Sequence, residues 1–184
     1  MNVLGISGSL RSASAARRAL ERALAGAESA GAQARLLELR ELDLPLYDED
    51  EARYTPAQRA AVARLQEAAA AADAFIIASP EYHGGMSGVI KNAIDHLVGR
   101  HFRGKAAGIV AVAGGRVAPV STALMLRAVP RQLGAYTIPQ QVLLPEAEKL
   151  FDRAGNLADA ELARRLEDLG AEVVRLARAL AHSS

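Results

Sequence analysis

The sequence predicts an α/β protein, a three-layer sandwich in which helices cover both faces of a five-stranded parallel sheet. Three observations predict it. Short apolar runs alternate with longer segments of helical period in the pattern βαβαβαβαβα. Capping residues and glycines fall at the seams between those segments. The strong right-handed bias of βαβ crossovers then leaves few arrangements, of which strand order 2-1-3-4-5 is the natural one.

The candidate strands are residues 3–7, 34–39, 74–79, 106–113 and 136–144, and the candidate helices are 14–30, 56–72, 87–98, 120–133 and 159–181. Ser87 and Asp159 stand where N-caps belong, and Gly26, Gly31, Gly99 and Gly134 where helices should stop. Pro139 cannot donate to a ladder, which suits an edge position for the last strand. The last helix carries Leu162, Leu166, Leu169, Val173, Leu176 and Leu180 at spacings of four and three, an apolar stripe expected to pack on the sheet. Residues 43–54 are the least regular stretch, read either as a solvated acidic loop or as one reaching a neighbouring subunit or the mouth of a site. No repeat or linker divides the chain, so residues 1–184 are expected to form a single domain.

Composition bounds the class. A 184-residue chain that is 51% hydrophobic is expected to bury about 70% of its unfolded surface and needs no covalent staple. It has no cysteine, which excludes a disulfide framework, a thiolate zinc site and a Cys nucleophile. A net charge of +1 argues against nucleic acid as a partner while leaving a local anion site open. The N-terminus lacks a basic leader, and Asp73 interrupts the longest apolar run, 68–78, far short of the roughly 20 residues of a membrane span. The expectation is a cytoplasmic protein with no membrane partner.

In such a sheet ligands bind outside the carboxyl ends of the strands where the order reverses, between the loops after strands one and three. The first of these reads Ser7-Gly8-Ser9-Leu10-Arg11-Ser12-Ala13-Ser14 and enters a helix. Hydroxyls, one guanidinium and the free N–H groups of a helix N-terminus form a cup for a terminal phosphate. The second reads Ser79-Pro80-Glu81-Tyr82-His83-Gly84-Gly85-Met86-Ser87-Gly88. Its glycines admit a flat ligand close to the backbone, and Tyr82 and His83 offer flat faces. After strand four, Gly114 and Gly115 make a permissive turn at the same end of the sheet, followed by Arg116.

Together the loops resemble the NADPH-dependent FMN reductase family, the flavodoxin-like group that includes azo, chromate and quinone reductases. The resemblance is carried by Gly8-Ser9-Leu10-Arg11 with Ser14, and by Ser79-Pro80-Glu81-Tyr82-His83-Gly84 running into Gly88-Val89-Ile90-Lys91-Asn92-Ala93-Ile94-Asp95. It extends more loosely from residue 2 to about 156, through Phe102-Arg103-Gly104-Lys105 and Leu144-Pro145-Glu146. The resemblance implies a flavodoxin-like sandwich in which Ser9, Arg11 and Ser14 hold the FMN phosphate. Pro80, Glu81, Tyr82, His83 and Gly84 would line the isoalloxazine, largely through backbone, with Gly114 and Gly115 at its other edge. Ala16 and His83 stand where many members have Asn.

The expected function is an FMN-dependent NAD(P)H oxidoreductase that passes hydride from NADPH or NADH to FMN and on to a small electron acceptor. A quinone, azo compound, ferric chelate or chromate would serve. Arg116 is the candidate for the nicotinamide cofactor's phosphate. No catalytic acid or base is needed, since the cofactor carries the chemistry. The resemblance also implies a homodimer or homotetramer, with the site near the interface. The alternatives are a flavin-binding electron carrier without NAD(P)H activity, against which the near-neutral charge speaks, and a ligand-sensing or interaction module on the same fold.

Three weaker patterns are set aside. Gly99 to Ala106 nearly spells a P-loop, but Ala106 lacks the metal-binding hydroxyl and the stretch precedes a strand. His83-Gly84-Gly85 has no nucleophile elbow after it. The histidines at 83, 96, 101 and 182 have no metal-ligand spacing, so no metal is expected.

Overall fold

A computed structural model describes residues 1–152 and 154–182. The chain runs β1 (Asn2–Ser7), α1 (Ala15–Ser29), β2 (Gln33–Glu38), α2 (Pro56–Ala70), β3 (Ala74–Tyr82), β4 (Gly85–Met86) and α3 (Gly88–Asp95). It continues through α4 (Gly99–Phe102), β5 (Ala106–Val112), α5 (Val120–Gln132), β6 (Tyr136–Leu144), α6 (Ala147–Leu150) and α7 (Ala160–Ala181). Five strands pair in parallel in the order β2-β1-β3-β5-β6, and β4 pairs only with β3, antiparallel. With that two-residue strand set aside, the order is the expected 2-1-3-4-5, and the fold is flavodoxin-like.

Helices on both faces leave the central strands no solvated side, and every residue of β5 is buried. Along β3 the side chains alternate between the two cores: Ala74, Ile76 and Ala78 on one face, Phe75 and Ile77 on the other. The first core is closed by α1 and by α7, whose stripe residues Leu162, Leu166, Leu169 and Val173 are buried in it. The second is closed by Leu65 of α2, Ile90 and Ile94 of α3 and Leu126 of α5. Pro139 lies on edge strand β6, where the register slips so that Ala107 faces Thr137 but Ile109 faces Gln141. The missing N–H thus falls in a bulge.

Four local expectations are corrected. Gly26 does not end a helix; it lies inside α1, where a Cβ would come within 2.0 Å of the Glu167 carbonyl oxygen on α7. Gly170 answers it, since a Cβ there would meet the Ala23 carbonyl oxygen at 1.9 Å. The two helices touch backbone to backbone. The helix expected over 87–98 breaks after Asp95, where buried His96 turns inward and its Nε2 meets the Pro45 carbonyl oxygen at 2.9 Å. Gly99 therefore opens α4, and the Val98 N–H is taken by Nδ1 of His101 at 3.0 Å. Finally, β3 does not stop at Ser79 but continues through Pro80 to Tyr82.

Candidate functional site

The carboxyl ends of β1, β3 and β5 frame a pocket of about 260 Å³ lined by Ser9, Arg11, Ser14, Ala16, Pro80, Glu81, Tyr82, Gly114 and Glu148, among others. The first wall is the loop between β1 and α1. Ser14 has extended backbone geometry and caps α1, its hydroxyl oxygen accepting from the Arg17 N–H at 3.4 Å. The hydroxyl proton stays available to donate. Ala15 and Ala16 open the helix, so their N–H groups have no carbonyl partner within it. Ser9 is nearly buried, its oxygen accepting from the Arg11 N–H at 3.3 Å. Two hydroxyls and free N–H groups at a helix N-terminus make a donor set that suits a phosphate monoester.

The second wall is the β3–β4 hairpin. Glu81 faces Met86 and Tyr82 faces Gly85, joined by His83 at φ 52° and Gly84 at φ 77°. Positive φ at both central residues is the two-residue turn that matches strand twist. The side chain of Glu81 points away from ligand duty: its Oε2 accepts from the Thr122 N–H at 3.3 Å, at the first turn of α5 where Pro119 supplies no side-chain cap. Glu81 still lines the pocket. Gly84, Gly88, Gly114 and Gly115 all face open space, where a Cβ would meet no atom within 4 Å. Of these four, Gly114 lines the pocket, so a flat ring can lie against its backbone, and the residues present fit FMN.

Buried hydroxyls tie the two walls together. Ser87 caps α3 by accepting from the Ile90 N–H at 3.3 Å and donates to the Gly8 carbonyl at 2.5 Å. Ser79 accepts from the Ser87 N–H at 3.0 Å and donates to the Pro80 carbonyl at 2.9 Å. The Gly8 N–H bonds to the Ala78 carbonyl at 2.8 Å.

Of the candidate residues, the structure brings Ser9, Arg11, Ser14, Pro80, Glu81, Tyr82 and Gly114 to one pocket. His83 and Gly84 form the exposed hairpin turn outside its lining, and Gly115 and Arg116 lie exposed just beyond Gly114. Arg116 has no ion pair among the described residues. Arg11 does have a partner: its Nη1 donates to Oε1 of Glu148 at 2.6 Å. That hydrogen bond and the carboxylate's charge hold the guanidinium above its ordinary pKa. Glu148, on α6, is a lining residue that the sequence does not single out, since its partner Arg11 lies 137 positions away. His96 and His101 are buried in packing roles, and no group of three or more His, Asp or Glu among the described residues could hold a metal ion. No helix among them is long and apolar enough to cross a membrane.

The geometry has parallels. The model of the NADPH-dependent FMN reductase family matches residues 1–149. The chain is 37% identical over 163 residues to the NAD(P)H-dependent FMN reductase PA1204 of Pseudomonas aeruginosa, covering 86% of this chain and 85% of that one. It is 36% identical over 105 residues to an FMN-dependent NADPH-azoreductase of Staphylococcus aureus, covering 55% and 54%. The structure is similar to that of FerB, a flavoenzyme NAD(P)H:(acceptor) oxidoreductase from Paracoccus denitrificans, with a TM-score of 0.78 over 97% of both chains. At 24% identity that likeness speaks for the fold. The match over most of the length, on a sheet whose reversal point carries the pocket, leads to one conclusion: the chain belongs to the NADPH-dependent FMN reductase family and is an oxidoreductase working with FMN and a reduced nicotinamide.

Proposed function

We propose that the pocket at the ends of β1, β3 and β5 holds FMN and that the protein passes electrons from NADPH or NADH to a small acceptor such as a quinone, azo compound, ferric chelate or chromate. The observation that carries the reading is the single pocket formed by the Ser9–Ser14 loop and the Pro80–Tyr82 strand end. Bound FMN supplies reversible two-electron chemistry. The residues bind and orient: Ser9, Ser14 and the first N–H groups of α1 take the phosphate, with Arg11 at the mouth. The backbone of Pro80, Glu81 and Tyr82 takes the ring, with His83 and Gly84 at the hairpin tip and Gly114 and Gly115 at the far edge. Arg116, exposed beside that edge, takes the nicotinamide cofactor's phosphate.

The whole chain acts as one domain in the cytoplasm, and two or four copies assemble. Val117, Val120, Leu124 and Met125 are exposed along one stretch beside the hairpin, an apolar surface suited to a second copy. Light scattering on the eluted protein tests the assembly. The first test of function is the visible spectrum of the protein with FMN, before and after anaerobic NADPH. Flavin that co-elutes, then bleaches, supports the reading. Flavin that binds but stays oxidised points to a carrier, and no binding overturns the site.

A further inference from the structure

The loop that should hold a phosphate offers it an arginine already engaged. Arg11 Nη1 and Glu148 Oε1 are 2.6 Å apart across the pocket mouth, and both residues line the pocket. The position of Glu148 is built by the backbone. Glu146 turns the chain at φ 46°, its N–H bonding to the Gly115 carbonyl at 2.8 Å, and the Ala147 N–H bonds to the Ala113 carbonyl at 2.9 Å. Those bonds fasten the start of α6 to the exit of β5. Behind it, Phe151 bridges to Leu157 and lies under the Arg18 guanidinium at 5.8 Å. Glu148 is thus held opposite the N-terminus of α1, where an anionic ligand would sit.

The two side chains are 66% and 65% exposed, so their pair is screened and readily opened. A phosphate monoester has more charge and three acceptor oxygens, and can take the guanidinium from a single carboxylate. We infer that Glu148 competes with the FMN phosphate for Arg11 and so keeps the flavin readily exchangeable. The inference rests on the placement of the phosphate proposed above, and it assigns Glu148 the role of tuning how long the cofactor stays.

The test is titration of flavin-free, full-length protein with FMN and with riboflavin, which lacks the phosphate, followed by quenching of flavin fluorescence. Glu148→Gln should bind FMN roughly twofold to fivefold more tightly, on the scale of an exposed charge pair, with riboflavin affinity unchanged. The gain should vanish in an Arg11→Ala background, and Glu148→Asp, which keeps the charge, should not show it. Weaker or unchanged FMN binding in Glu148→Gln overturns the competition, as does an equal gain for riboflavin or a gain that survives without Arg11. If the folded wild-type protein binds neither flavin, the FMN reading fails and takes this inference with it. If it binds FMN and Glu148→Gln merely matches it, only the competition fails.

Discussion

His83 is held at φ 52° in front of Gly84 at φ 77°, a turn that asks its first central residue to accept a left-handed backbone. Asn tolerates that conformation best, His is among the few others found there, and β-branched residues resist it. The backbone of the turn therefore accounts for a His at position 83, where an Asn would serve as well. His83→Asn should leave the thermal midpoint unchanged or raised, whereas His83→Val should cost about 1–2 kcal/mol in denaturant unfolding; equal stability of the two variants would contradict the turn assignment. The sequence offered His83 as a flat face for a ring. Its role as a turn was half-visible, since His83-Gly84 resembles the Asn-Gly hairpin signal, but Pro80 masked it by suggesting that the strand had ended. Glu148 was not legible at all. Its partner lies 137 positions away, and no local pattern marks a carboxylate that will meet a particular guanidinium.

A buried link between elements is the hydroxyl of Ser87, which caps α3 and also holds the Gly8 carbonyl of the β1–α1 loop. Ser87→Ala removes a cap and strands a buried carbonyl, a loss of about 1–3 kcal/mol. A lowered urea midpoint with an unchanged slope should show it, and an unshifted midpoint would mean the tie carries no load. The cap was readable because a serine precedes an apolar-periodic stretch at the right offset. The tie to Gly8 was not, because sequence does not say which carbonyl a buried hydroxyl will find. Gly26 shows the converse failure. A glycine late in a helical pattern reads as a stop on propensity, yet here it is needed because α7 crosses at backbone contact. The break after Asp95 was hidden too, since it depends on His96 reaching Pro45 from another part of the chain.

At the scale of the molecule, the strand order and the crevice at its reversal point were legible because handedness and burial leave few alternatives, and Pro139 marked its edge. Acid sensitivity belongs to this scale as well. Burial, then the charges of Arg100 and Lys105, hold the imidazole of His101 below its ordinary pKa, so the folded state prefers it neutral. The unfolded chain takes up the proton first. Stability from this group is fully present above about pH 6.5 and declines as pH falls from there towards the lowered folded value. The thermal midpoint should drop over that window, and by less in His101→Gln, whose amide oxygen can still accept from Val98; an identical drop would clear His101 of the effect. The β3–β4 hairpin bears on how the pocket comes into being. Its strands are joined by two residues, and such local pairings close in about 1–10 μs. The wall opposite it is seated by contacts between distant parts of the chain, the Gly8 N–H on the Ala78 carbonyl and the Ser87 hydroxyl on the Gly8 carbonyl. In the proposed site, a chain that had closed only the hairpin would have a surface for the ring and no seat for the phosphate. Capture of the flavin would then follow those long-range contacts, so that the cofactor would certify a finished fold and would not template one.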